Sequence, residues 1–193
     1  MSTWRRLLAA TCMAAVGCGG SNAPLHGYVF DPPRDAPALQ ILDADGTLYD
    51  LASERGKRTV VLFFGYTHCP DVCPTTLAAW ASARRELGGA EKGVRWLFVS
   101  VDPERDTPQV AQGYARQFDP TFVGLSPTVE QLEALQKTWG FRVMREDDPK
   151  GAGSYTVMHP ARTYVIDRAG RIRELLSQNT AASDIAMDVR QIR

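Results

Sequence analysis

Two apolar runs in the middle of the chain predict strands that are buried on both faces. Residues 59–64 form the first run and residues 94–101 form the second. Runs of this kind, rich in β-branched and aromatic residues, are typical of strands in a parallel sheet. Shorter patterns predict a hairpin of strands 39–42 and 48–51 around Gly46, and further strands at 141–144, 163–166 and 171–176.

Four segments between or after these strands have helical patterns. The first covers 75–87 and ends at a Gly-Gly pair, and the second opens at Thr107-Pro108 and runs to about residue 118. The third covers 129–139, with Thr128 and Gln131 as a capping box, and the last begins near Ala181. The alternation predicts an α/β fold with a central mixed β-sheet flanked by helices, plus an extra N-terminal β-hairpin.

The N-terminus has the pattern of an export signal. Arg5 and Arg6 precede an apolar stretch, residues 7–16, that is too short to span a bilayer. Small residues then lead to Cys18, which predicts a lipoprotein-type signal peptide over 1–17 with Cys18 acylated. A plain signal peptide and an uncleaved anchor are the alternatives. Residues 18–37, rich in Gly, Pro, Ser and Asn, predict a flexible tether, which leaves 38–193 as the folded domain.

Composition and charge indicate a globular domain and argue against a nucleic-acid partner. The hydrophobic share of 44% in 193 residues is enough for one full core. Loss of Arg5 and Arg6 with the signal turns an even balance of 22 basic and 22 acidic residues into a net charge of about −2. No basic run interleaved with aromatic residues is present, so we expect no nucleic-acid partner.

The chemistry of the chain is concentrated in two cysteines between the first buried strand and its helix. Cys69 and Cys73 are separated by three residues, and they are the thiols that remain if Cys12 is cleaved off and Cys18 is acylated. A disulfide closing so short a loop would stabilise little, so we interpret the pair as functional. Residues four apart on a helix have α-carbons about 6 Å apart, which permits a disulfide as well as a shared soft metal ion. Spacing alone selects neither.

The candidates for a third ligand are the three histidines of the chain. His159 lies just before the strand predicted at 163–166, in a loop that faces the active-site corner in a thioredoxin-like fold. His68 adjoins Cys69 in sequence, and we expect it to have a structural role. His26 lies in the predicted tether, where we expect it to be solvated. Soft sulfur ligands favour Cu(I) over hard cations.

The combined motifs resemble those of the Sco/SenC family over most of residues 38–177. They are Gly65-Tyr66-Thr67-His68-Cys69-Pro70-Asp71-Val72-Cys73-Pro74, Val101-Asp102-Pro103-Glu104-Arg105-Asp106-Thr107-Pro108, and His159. The resemblance implies a thioredoxin-like fold, copper bound by Cys69, Cys73 and His159, and a role in assembling the dinuclear copper site of cytochrome c oxidase. Many relatives have an N-terminal transmembrane helix where this chain has a lipoprotein-type signal.

Three functions are compatible with this resemblance and with the dithiol. The first is a metallochaperone that passes copper to the copper-accepting subunit of cytochrome c oxidase, with other copper chaperones or thioredoxin-like reductants as further partners. The second is a thiol–disulfide reductase in which Cys69 and Cys73 form a redox-active pair. The third is a redox sensor or peroxidase. The signal predicts a lipid-anchored protein of the bacterial cell envelope, with its domain in the periplasm or extracytoplasmic space.

The loop Asp102–Asp106 leaves two interpretations open. Its charged residues follow the end of a buried strand, the edge at which sites gather in α/β proteins, so the loop could border the metal or dock a partner. A salt-bridged turn capped by Thr107 is the alternative. We expect Trp80, Trp96 and Trp139 to belong to the core.

Overall fold

The computed structural model describes residues 23–147 and 155–193 of the chain. The strands are β1 (Tyr28–Asp35), β2 (Gln40–Leu42), β3 (Leu48–Asp50), β4 (Thr59–Gly65), β5 (Val94–Ser100), β6 (Val123–Leu125), β7 (Met144–Asp147), β8 (Tyr155–Met158), β9 (Arg162–Ile166) and β10 (Arg171–Ser177). The helices are α1 (Val72–Leu87), α2 (Pro108–Phe118), α3 (Val129–Trp139) and α4 (Ala182–Ile192). The predicted signal peptide and Cys18 lie outside the described residues.

A six-stranded mixed sheet forms the centre of the domain, in the order β1-β10-β9-β4-β5-β6. β4 pairs in parallel with β5 and antiparallel with β9, and every residue of β4 is buried. This confirms the mixed α/β architecture predicted from the apolar runs. The pairs β2–β3 and β7–β8 form two separate hairpins, of which the first was predicted around Gly46.

Aromatic side chains fill the core on both faces of β4. Phe63 packs edge-to-face on Trp80, and Trp80 in turn lies 5.5 Å from Trp96 between ring centroids. The next residue, Phe64, points to the other face because strand side chains alternate. There it contacts the rings of Trp139, Phe141 and Tyr164. Trp80, Trp96 and Trp139 are thus core residues, as expected.

Part of the segment predicted as a tether is a strand. Tyr28–Asp35 is the edge strand β1, antiparallel to β10, with an irregular register between Val29 and Arg34. The prolines at 32 and 33 cannot donate to a ladder, and an edge strand tolerates them. The pattern missed this strand because its partner lies more than 130 residues later in the sequence.

His26 is exposed, as expected, but its side chain is hydrogen-bonded to α4. Its Nδ1 lies 2.9 Å from a carboxylate oxygen of Asp188, and its backbone N–H donates to the other oxygen at 3.0 Å. Asp188 is almost fully buried on α4. The hydrogen bond to Asp188 raises the pKa of the His26 imidazole.

Two element boundaries differ from the predictions. The strand expected at 141–144 begins only at Met144, because the apolar Phe141 is a core residue of the preceding loop. Helix α1 begins at Val72, three residues before the predicted start. Within the described ranges, no helix combines the length and the apolar character that a bilayer crossing would need.

Candidate metal centre

The cysteine corner joins the end of β4 to the start of α1. Cys69 lies in the turn before the helix, where its N–H donates to the Tyr66 carbonyl at 3.3 Å, and Cys73 lies in the first helical turn. Both are free thiols; Cys73 is fully buried and Cys69 is half-buried. The Cys73 N–H donates to the Cys69 sulfur at 3.4 Å. The corner therefore stabilises negative charge on Cys69.

The two thiols differ in acidity. A hydrogen bond from Cys73 lowers the pKa of Cys69 to about 3. The same hydrogen bond, together with burial, raises the pKa of Cys73. Because the two groups titrate as a pair, the state at neutral pH is one shared proton, with Cys73 as the donor and Cys69 as the thiolate.

His159 is delivered to this corner by β8. Its ring lies edge-to-face between Phe63 and Tyr66, with centroid distances of 5.7 Å to each. Nδ1 lies 3.3 Å from the Pro160 carbonyl oxygen, and Nε2 lies 3.7 Å from the Cys73 sulfur. A carbonyl only accepts, so this contact places the proton on Nδ1 and leaves the Nε2 lone pair facing the sulfurs.

The distance between Cys73 and His159 fits a shared metal ion. Metal–sulfur and metal–nitrogen bonds of about 2.3 and 2.05 Å, meeting at a trigonal angle, separate the two ligand atoms by about 3.8 Å. The observed value is 3.7 Å. In residues 23–147 and 155–193, no three His, Cys, Asp or Glu side chains are already clustered as a finished ligand set. Cys69 would complete the set by a small adjustment of its half-buried side chain.

A glycine makes room for the buried sulfur. A Cβ on Gly65 would lie 2.6 Å from a ring carbon of Phe63 and 3.0 Å from the Cys73 sulfur. Both separations are shorter than ordinary van der Waals contacts, so a side chain at this position would displace the thiol or the ring. Gly65 belongs to the sequence motif, but the close approach that requires it is visible only in the folded chain.

Asp106 anchors the cysteine loop to the sheet. Its carboxylate is fully buried and accepts from the Thr67 N–H at 2.9 Å, the Thr67 hydroxyl at 2.5 Å and the Ser100 hydroxyl at 2.6 Å. His68 is more than half exposed and lies beside this anchor, with Nδ1 3.1 Å from the Thr67 hydroxyl. It contacts the loop and not the sulfurs.

The remainder of the Asp102–Asp106 loop supports the strand that carries His159. Arg105 pairs with Asp102 at 2.5 Å, donates to the Tyr155 carbonyl at 3.1 Å and stacks over the Tyr155 ring. The Tyr155 hydroxyl donates to Asp102 at 2.7 Å. The loop is therefore a salt-bridged turn that also holds β8. Thr107 caps α2, as the alternative interpretation required.

Comparison with known proteins identifies the family. The family model described as SCO1/SenC matches residues 31–193. The chain belongs to the SCO1/SenC family. Among its relatives, the SCO2-like protein of Rickettsia felis is 30% identical over 77% of this chain and 73% of the relative. The mitochondrial SCO2 homolog of Bos taurus is 35% identical over 79% of this chain and 58% of the relative.

Solved SCO1/SenC structures share the fold. Apo Sco1 from Thermus thermophilus superposes with a TM-score of 0.81 at 35% identity, covering 90% of this chain and 100% of that one. Bradyrhizobium japonicum ScoI with copper bound has a TM-score of 0.73 at 33% identity, covering 82% and 99%. The thioredoxin-like fold and the family resemblance predicted from the motifs are thereby confirmed.

A cavity of about 490 Å³ opens beside Cys69, and its lining includes the predicted residues Cys69 and His159 together with Asp71. It also includes Met144, Met158 and Gln178, which the sequence analysis did not find. Asp71 is exposed, and its carboxylate accepts a hydrogen bond from the Thr75 hydroxyl. The contribution of β7 could not be anticipated, because the strand predicted at 141–144 ends where β7 begins.

Proposed function

We propose that this chain binds copper through Cys69, Cys73 and His159 and passes it to the copper-accepting subunit of cytochrome c oxidase. The observation that carries the proposal is the distance of 3.7 Å between the Cys73 sulfur and the His159 Nε2, which matches two ligands of one trigonal metal ion. The Nδ1 contact with a carbonyl supports it, because outer hydrogen bonds of this kind fix the ligand tautomer of a metal-binding imidazole. Two sulfurs and one imidazole suit Cu(I).

Release of the metal would proceed by ligand exchange from the open side. Cys73 is fully buried, whereas Cys69 is half-buried and lines the cavity. An incoming thiolate from the acceptor therefore displaces Cys69 first, and Cys73 and His159 follow. Copper is the cargo in this scheme, and its oxidation state does not change during the exchange.

The N-terminus would restrict where this exchange takes place. We propose that Cys18 carries the lipid and that the domain lies on the extracytoplasmic side of a bacterial membrane. The basis is the sequence pattern of residues 1–18. Other copper chaperones would supply the metal, and thioredoxin-like reductants would keep Cys69 and Cys73 reduced.

A second candidate is a thiol–disulfide reductase, which the unequal acidity of the two thiols favours. The Cys69 thiolate attacks an acceptor disulfide and releases one acceptor thiolate. Cys73 then loses its proton and attacks the Cys69 sulfur, which releases the second acceptor thiolate. The acceptor gains two electrons, and Cys69 and Cys73 become a disulfide.

The decisive experiment measures bound copper and free thiols in the purified protein and in Cys69→Ser, Cys73→Ser and His159→Ala. We expect one copper per chain in the native protein and a loss of affinity of at least about tenfold in each variant. His68→Ala is the matched control, because this histidine adjoins Cys69 but lies off the sulfurs, and it should bind copper normally. Unchanged copper affinity in His159→Ala would contradict the site. Dithiol oxidation should persist in that variant, and rapid turnover of a disulfide substrate by the native protein would favour the reductase.

A further inference from the structure

Two methionines of the β7–β8 hairpin are exposed at the mouth of the site. Met144 and Met158 have 53% and 45% of their surface exposed. They are direct partners in the antiparallel register, so their side chains lie on the same face with Cβ atoms about 5 Å apart. Methionine ordinarily fills gaps in a core, so a matched pair on a solvent-exposed ladder needs another explanation.

The surroundings of this pair point to a metal. Both side chains line the cavity that also contains Cys69 and His159. Met158 directly precedes His159, so its α-carbon lies about 3.8 Å from that of the imidazole ligand. Thioether sulfur is soft and neutral and has no proton to lose, which makes it a weak ligand selective for Cu(I). Such a ligand can take the ion and release it readily to a thiolate.

We propose that Met144 and Met158 form a weak Cu(I) site at the entrance to the centre built by Cys69, Cys73 and His159. This inference rests on the proposed copper-binding function. Cu(I) is first held by the two thioethers, and the Cys69 thiolate then replaces one of them as the ion moves inward. The ion stays Cu(I), and no electron or proton is transferred in this step.

The site is tested first in a protein that lacks the inner thiols. In Cys69→Ser/Cys73→Ser with methyl-labelled methionine, one equivalent of Cu(I) under anaerobic conditions should shift the methyl resonances of Met144 and Met158. Met187, an equally exposed methionine on α4, is the internal control and should not shift. Adding Met144→Leu and Met158→Leu should abolish the residual Cu(I) binding, whereas Met187→Leu should retain it. Absence of residual binding, or its survival in the double leucine variant, would overturn the proposal.

Loading kinetics then test the same site in the native background. Met144→Leu/Met158→Leu should slow Cu(I) transfer from a weakly binding donor at least about tenfold, with little change in final affinity, because the inner ligands are intact. An unchanged rate would overturn the entrance role. A native protein that binds no Cu(I) would contradict the proposed function, and the resonance shifts in the thiol-free protein would still decide the methionine site separately.

Discussion

The two halves of the proposed copper site lie on parts of the molecule with opposite character. The cysteines follow β4, a strand buried at every residue, and Asp106 ties their loop to β5. His159 follows β8, whose one partner among the described strands is β7, and β7 is exposed at every residue. Regions with few buried apolar contacts open at low free energy, whereas core strands open only with the whole domain. The backbone of the cysteine corner is therefore held by the core, whereas His159 follows a less buried hairpin.

This difference has a functional meaning for ligand exchange. A site whose three ligands were all rigid would hold its ion tightly and release it slowly. Here the loop Asp102–Asp106 and the ring of Tyr155 provide the polar attachment of the hairpin. Changes on the cysteine side should therefore damage the fold, and changes on the hairpin side should damage metal retention alone.

The largest effect is expected from Asp106→Ala. Three donors would lose their buried acceptor, which predicts a fall in the free energy of unfolding of about 3 kcal/mol. Urea denaturation of the metal-free protein measures this. Asp45→Ala, at an exposed position in the β2–β3 turn, is the control and should change stability little. Equal stability of the two variants would contradict the rigid character of the cysteine loop.

Gly65→Ala should have the next largest effect. The added methyl group would meet Phe63 and the Cys73 sulfur, and overpacking of this kind costs about 1–3 kcal/mol of unfolding free energy. Copper retention should fall as well, because the sulfur is displaced. Gly113→Ala in α2 is the matched control; its Cβ meets nothing within 4 Å, and it should stabilise the helix by about 0.5–1 kcal/mol. Thermal unfolding together with copper analysis distinguishes the two.

Tyr155→Phe tests the hairpin side. The variant loses the hydrogen bond to Asp102, so we expect copper affinity to fall about tenfold with a change in unfolding free energy below about 1 kcal/mol. Tyr28→Phe removes a hydroxyl from an exposed position on β1 and should change neither quantity. A competition titration with a Cu(I) chelator makes the measurement. A large loss of stability with normal copper affinity would contradict the expectation that changes on the hairpin side affect metal retention alone.

A further effect concerns the pH dependence of stability on the buried side of the molecule. Burial raises the pKa of Glu174 from 4.5 to about 7. Between these values the unfolded chain ionises Glu174 while the folded chain keeps its proton, so the free energy of unfolding falls as pH rises. The raised pKa of His26 acts in the same direction, because its contribution is lost as pH rises through the folded value. Glu174→Gln should flatten thermal stability between pH 4.5 and 7, and an unchanged slope would exclude Glu174 as its source.

The sequence predicted those strands whose burial produces a continuous run of apolar residues. The apolar runs of β4 and β5 are continuous because both faces of these strands are covered, so both could be expected as buried strands. The involvement of His159 came from the family resemblance, since no spacing rule links residues 73 and 159. The structure now brings these two side chains within 3.7 Å.

What the sequence did not predict depends on distant partners or on exposure. β7 is exposed at every residue, so it has no alternation from which a strand could be inferred. β1 owes its structure to hydrogen bonds with β10, and its prolines and charged residues are typical of a linker. The anchor at Asp106 is invisible for a related reason, because its donor Thr67 is 39 residues away.

The position of Ala23 indicates how a lipid on Cys18 would orient the domain relative to a membrane. Its carbonyl accepts from Gln191 near the end of α4, where Arg193 also contacts the Ala90 carbonyl just before β5. That pole lies at the start of β4, about 23 Å from the cysteines at the other end of the seven-residue strand. Four residues lie between Cys18 and Ala23, and the five steps from one α-carbon to the other span at most about 18 Å. A lipid on Cys18 would thus place the proposed copper site on the side of the domain that faces away from the bilayer. An acceptor would then have to extend from the membrane to reach the site, or the domain would have to reorient.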